Sequence, residues 1–132
     1  MTLYIISNKL YRQNFLLLAK VFVRLNRFIF GCEIPSSAEI DYSVQLKHGG
    51  LGVVIHDNAV IGKNTVIYHG VTVGGREHHG TPIIGENVYI GSGAKVLGNV
   101  KIGNGAKIGA NAVVLRDVEE GRTVIGVPAK YV

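Results

Sequence analysis

From Ile34 onward an aliphatic residue returns every sixth position. The series runs Ile34, Ile40 and Leu46. After an insertion of three residues it resumes at Ile55, Ile61, Ile67 and Val73. After an insertion of five it continues at Ile84, Ile90, Val96, Ile102, Ile108 and Val114. The fifth place of each hexad is small or β-branched nearly throughout, as at Ala38, Val44, Ala59, Thr65, Val71, Ala94 and Ala112, with Glu77 in the second insertion as the misfit. The second place is Gly in six of the thirteen hexads: Gly62, Gly74, Gly85, Gly91, Gly103 and Gly109.

A strict six-residue period excludes an α-helix, whose apolar positions recur at three and four. It also excludes a sandwich, which needs turn signals every 8–12 residues or so. It suits short flat strands joined by bends, three hexads to a turn. Each turn stacks on the last by parallel pairing at about 4.8 Å. The predicted core is therefore an all-β parallel β-helix. Period alone does not give its hand, and general topology would favour right-handed crossovers.

The pattern changes before residue 31. From about Leu3 to Phe30 there is neither Gly nor Pro. Leu16, Leu17, Val21, Leu25 and Phe28 can share one helical face, and Lys20, Arg24 and Arg27 fall on another at i, i+4 and i+7. One or two amphipathic helices are expected. They would serve as a cap over the open end of the coil or as a basic surface for weak contact with anionic lipid. Two units follow, an amphipathic helical extension over 1–30 and the coil over 31–132.

Charge divides the chain at the same place. Residues 1–32 carry Lys9, Arg12, Lys20, Arg24 and Arg27 and no acid, whereas residues 33–132 carry nine Lys/Arg and nine Asp/Glu, so the whole net +5 sits in the first quarter. The hydrophobic content of 47% argues against disorder. The charge-balanced coil and the absence of a binding motif in the basic segment argue against a nucleic-acid partner. Cys32 is the single cysteine, which rules out an intrachain disulfide and suits a cytoplasmic protein. No small-residue cleavage site follows the N-terminal apolar stretch, and Lys20, Arg24 and Arg27 interrupt it, so it reads as neither leader nor membrane span. Location at the inner face of the membrane stays open for residues 1–30.

Every third hexad shares a side of the coil. The third residues of those beginning at Leu46, Ile67, Ile90 and Ile108 are His48, His69, Ser92 and Ala110, which the period stacks in one column. An imidazole near neutral pKa can take the proton of an attacking hydroxyl. The small residues beside it let an extended thioester carrier approach the backbone. Both insertions lie beside this column in the chain, and loops leaving a rigid scaffold commonly carry function.

These segments carry a resemblance to a known family. His48-Gly-Gly-Leu-Gly-Val-Val-Ile, Val71-Thr-Val-Gly-Gly, Ile90-Gly-Ser-Gly-Ala-Lys-Val-Leu-Gly-Asn and Gly126-Val-Pro-Ala-Lys resemble stretches of the serine acetyltransferases, over about residues 31–132. The resemblance is greatest to short members without the large helical N-terminal domain. It implies a left-handed β-helix, a homotrimer with sites between coils, and acetyl-CoA as co-substrate with no metal. Cysteine biosynthesis is the implied setting. It implies His48 as general base, with Glu33, fifteen positions earlier, as the acid that orients it. Coenzyme contacts would fall on Gly74, Gly75, Ser92 and Ala110, with Lys107 and Lys130 as candidates for its phosphates. Backbone N–H groups near Gly74 and Gly75 would stabilise the oxyanion.

The acceptor side departs from the family. Lys47 stands where an Asp often helps hold the serine amino group. The family's second active-site His precedes a Pro, but here Thr81 precedes Pro82, with His78 and His79 just upstream. Lys47, His69, His78 and His79 are the acceptor-site candidates. The acceptor is expected to be L-serine, with a sugar hydroxyl of a capsular or extracellular polysaccharide as the alternative. Two remoter readings are a γ-carbonic-anhydrase-like metal enzyme, which needs three converging His, and a non-catalytic scaffold.

Overall fold

The computed structural model describes residues 1–77 and 80–132. Strands of two or three residues form three parallel sheets that wrap around a common axis as a left-handed coil. Side one stacks Glu39–Ile40, Val60–Ile61, Ile83–Ile84 and Lys101–Ile102. Side two stacks Gln45–Leu46, Val66–Ile67, Tyr89–Ile90, Lys107–Ile108 and Thr123–Ile125, and an antiparallel Lys130–Tyr131 closes its end. Side three stacks Val54–Ile55, Thr72–Gly74, Lys95–Leu97 and Val113–Val114.

The register is that of the six-residue step. Leu46 pairs with Ile67, Ile67 with Ile90, and Ile90 with Ile108. Within the repeat, strands so short turn one side chain inward each, and that side chain is the hexad's aliphatic residue. Ile61, Ile67, Ile84, Ile90 and Ile108 are at most 1% exposed and form one continuous core. Each such side chain contributes about 1.5–3 kcal/mol. Thr65 is the buried polar exception among the fifth places. Its hydroxyl donates to the Gly85 carbonyl at 3.0 Å and accepts from Val88 N–H at 3.2 Å.

Close stacking explains five of the six second-place glycines, Gly74 being the exception. A Cβ on Gly62 would lie 2.7 Å from the Gly85 carbonyl, and one on Gly91 would lie 2.7 Å from the Ala110 nitrogen.

Two helices precede the coil, α1 (Thr2–Arg12) and α2 (Leu16–Phe30), and Gly31 ends α2 in the left-handed region at φ 63°. The cap is built by α1. Tyr4 is 1% exposed and enters the coil's first turn. Its hydroxyl donates to Ala38 O at 2.6 Å and accepts from Ile40 N–H at 3.1 Å. The Asn8 amide donates to Ser36 O at 2.8 Å, and Tyr42 donates to Asn8 Oδ1 at 2.9 Å.

The packing of α2 inverts its apolar pattern. Ala19 and Asn26 are buried, while Leu16, Leu17, Val21, Leu25 and Phe28 are all exposed. Among the described residues, no helix is long and apolar enough to cross a membrane.

Candidate active site

The edge between sides two and three carries the histidine pair. The chain reaches it on the strand Val66–Ile67, turns through Tyr68, His69 and Gly70, and enters side three at Thr72. One turn earlier the three-residue insertion occupies the same corner as a 3-10 segment, Lys47–Gly50. His48 (φ 53°) and Gly49 (φ 68°) both adopt left-handed backbone there. For a non-Gly residue that conformation is uncommon, though His is among the types enriched in it, and it recurs at functional sites.

The insertion alters the stacked column. Counted forward from Leu46, His48 stands opposite His69; counted back from Val54, Leu51 does. The ladder hydrogen bonds go to Leu51: Gly70 N–H donates to Leu51 O at 2.8 Å, Gly93 N–H to His69 O at 2.9 Å and Asn111 N–H to Ser92 O at 2.8 Å. The backbone column is therefore Leu51, His69, Ser92, with His48 carried outward on the insertion. Its ring still meets His69, with centroids 5.0 Å apart at 82°. Both histidines are exposed.

Three residues at this corner fall outside the sequence-based candidates: Tyr68, Tyr89 and Lys95. Tyr68 lies 6.0 Å from His48, ring to ring, and 5.3 Å from Tyr89. Desolvation, then the hydrogen bond with Tyr68, holds the Tyr89 hydroxyl above its ordinary pKa. The Lys95 ammonium donates to Gly70 O at 2.6 Å and so ties side three to the corner of His69. Lys95 and Tyr89 both hold the sixth place of a hexad, just before an inward aliphatic, and that place points outward on a flat face. Tyr68 is adjacent to His69 in the chain.

Glu33 enters side three through a bridge to Val54, but its carboxylate pairs with Arg27 of α2 at 3.2 Å. Both side chains are largely exposed, at 50% and 71%. Such a pair contributes about 0–1 kcal/mol and opens readily. Lys47 bonds Gln45 Oε1 at 2.9 Å.

The coenzyme candidates fall in three places. Ser92 and Ala110 continue the corner below His69. Gly74 and Gly75 lie at the opposite edge of side three, where a Cβ on Gly75 would be 3.4 Å from the His56 ring. Lys107 and Lys130 sit in the side-two sheet, in strands separated by Thr123–Ile125, and both are exposed. The structure thus brackets side three with the glycines on one edge and the small residues on the other. His78 and His79 lie outside the described residues. Among the described residues, no three His, Cys, Asp or Glu side chains are grouped to hold a metal ion. Cys32 is buried, and burial pushes its thiol pKa up, which removes it as a nucleophile.

The family comparisons agree with this architecture. Residues 81–116 match the bacterial transferase hexapeptide (six repeats), and residues 52–76 match the hexapeptide repeat of succinyl-transferase. The chain is 44% identical over 134 residues to a serine acetyltransferase of Staphylococcus aureus (strain Mu50), an alignment covering 98% of this chain and 62% of that protein. It superimposes on the serine acetyltransferase of Brucella abortus strain S19 in complex with coenzyme A with a TM-score of 0.94 at 35% identity, covering 99% of this chain and 53% of that one. For the Neisseria gonorrhoeae serine acetyltransferase in complex with serine the TM-score is 0.91 at 42% identity, covering 97% and 53%. The chain thus spans less than two thirds of the length of these relatives. With its six-residue ladder, its corner histidines and this similarity along nearly all of its own length, the chain belongs to the serine acetyltransferase family of hexapeptide-repeat proteins.

Proposed function

We propose that this chain is an O-acetyltransferase that moves the acetyl group of acetyl-CoA to the hydroxyl of L-serine, in cysteine biosynthesis. The observation that carries the reading is the exposed His48–His69 pair, 5.0 Å apart, on a coil similar to a serine acetyltransferase solved with coenzyme A. In the proposed step His48 takes the proton of the acceptor hydroxyl while its oxygen attacks the thioester carbonyl. The tetrahedral oxyanion collapses, the C–S bond breaks, and the proton passes from His48 to the leaving thiolate. Glu33 orients the imidazole after releasing Arg27, at the small cost of an exposed pair.

Ser92 and Ala110 leave backbone open beside the pair for the pantetheine arm, with Gly74, Gly75, Lys107 and Lys130 as further coenzyme contacts. The proposed acceptor contacts are His69 and Lys47, with His78 and His79 kept as candidates on sequence grounds alone. The proposed assembly is a homotrimer with sites between neighbouring coils. It works in the cytoplasm, with the helical unit 1–30 toward the inner face of the membrane and the coil unit 31–132 bearing the chemistry.

A second reading rests on Lys47. Lys47 directly precedes His48 in the chain, and its ammonium bonds neutral Gln45, where a carboxylate would hold a serine amino group. That favours a sugar hydroxyl as acceptor through the same acid–base step.

The test is release of CoA thiol with L-serine against a panel of sugars, beside His48→Ala. Turnover with serine and a loss of about 10²–10⁴ in the variant support the reading. Turnover with sugars alone moves the acceptor and keeps the mechanism. A near-normal rate in His48→Ala overturns it.

A further inference from the structure

Most of the apolar side chains of α2 are exposed, and only Phe22 and Val23 among the larger ones are half-buried. Phe28 is 91% exposed and Leu17 81%, with Val21 and Leu25 beside them at 43% and 40%. These positions follow i, i+4, i+8 and i+11 and so form one stripe. Lys20, Arg24 and Arg27 run along one flank of that stripe, and residues 1–32 carry no acid at all. The face turned to the protein holds Ala19 and Asn26 instead.

We infer that α2 docks in the plane of an anionic lipid bilayer, its stripe in the acyl boundary and its basic flank among the headgroups. This deepens the placement of residues 1–30 proposed above, and it stands or falls separately from acetyl transfer. At 15 residues α2 is about 22 Å long, too short to span a hydrocarbon layer of about 30 Å. A long basic and apolar face without acids is the composition of a helix that lies in the interface.

Charge decides between occupants. A second copy laid on this face would set lysines and arginines against lysines and arginines. An anionic headgroup layer complements all of them. The same helix ends against the catalytic corner, since a Cβ on Gly49 would lie 3.4 Å from the Phe30 ring and Arg27 holds Glu33. Docking of α2 and the geometry of the candidate site are therefore physically joined.

The experiment is co-sedimentation of the full chain with vesicles of phosphatidylcholine alone and of phosphatidylcholine containing phosphatidylglycerol, at low and high salt. Binding to the anionic vesicles should exceed that to neutral ones by roughly a hundredfold and weaken on added salt. The double variant K20Q/R24Q should lower it roughly tenfold, and L17Q/F28Q should abolish it. All four positions are exposed, and unchanged circular dichroism verifies folding of both variants. No binding to anionic vesicles, or binding that survives both double variants, overturns the proposal. If L17Q/F28Q instead lowers the solution mass of the free protein, the face belongs to a second copy and the proposal fails.

Discussion

In the coil, the aliphatic residue at every sixth position is sealed inside, with only Leu46 beside the insertion half-buried. In α2, most of the large aliphatic residues are exposed and the buried ones are Ala19 and Asn26. Both regions are apolar in sequence, but they answer to different constraints. A two-residue strand in a three-sided coil has one inward place, and only a side chain of aliphatic size fills it against the turns above and below. A helix has several possible inward faces. The one chosen here is the narrow one that brings α1 and α2 together, while Tyr4 on α1 supplies the plug for the coil. Amphipathic pattern therefore told which residues share a face of α2 and left open what that face meets.

The contrast breaks most visibly in the middle of the coil. Ile67 is fully buried between Leu46 and Ile90 in the side-two stack. Ile67→Ala should lower unfolding stability by about 2–5 kcal/mol, the removed methyl groups and the cavity both contributing. Denaturant unfolding monitored by far-ultraviolet circular dichroism measures this. A loss under about 1 kcal/mol would mean that the turns collapse onto the gap, and the coil would then be no more demanding than the helices.

Much of the coil was legible because counting by six is enough to place an inward residue, and the observed register of Leu46, Ile67, Ile90 and Ile108 is the one counted. The candidate corner was legible only in part. The count sets His48 over His69, and their rings do meet, but the ladder bond belongs to Leu51. A period fixes the residues on either side of an insertion, not the path within it, and that path turns on the left-handed backbone of His48 and Gly49. Gly74 and Gly75 were grouped with Ser92 and Ala110 through resemblance. The same count carried one hexad further sets Gly75 on the next edge of side three, where the structure has it. The Arg27–Glu33 pair was not legible at all, since it depends on how the end of α2 approaches the first turn.

The junction between the two regions gives an intermediate effect. The Tyr4 hydroxyl is buried, with its pKa raised by that burial, and it serves both Ala38 O and Ile40 N–H. Tyr4→Phe keeps the ring in its socket and leaves two buried backbone groups without their partner. It should cost about 1–3 kcal/mol. Hydrogen exchange should show the loss first in α1, whose attachment it weakens, ahead of the central turns. Equal loss of protection throughout would make α1 part of the coil's own cooperative unit and dissolve the distinction between them.

The smallest effect is expected where the side chain is large and the burial least. Leu17→Gln removes an apolar side chain that is 81% exposed on α2. Leu and Gln have similar helix propensities, and surface changes away from special features stay within about 0.5 kcal/mol. The same hydrophobic-to-polar change that would be ruinous at Ile108 should therefore leave the unfolding midpoint of the free protein nearly where it was. A loss above about 1 kcal/mol would show that Leu17 is covered in the free assembly. The exposed stripe of α2 would then be an interior surface between copies, obeying the same rule of burial as the coil.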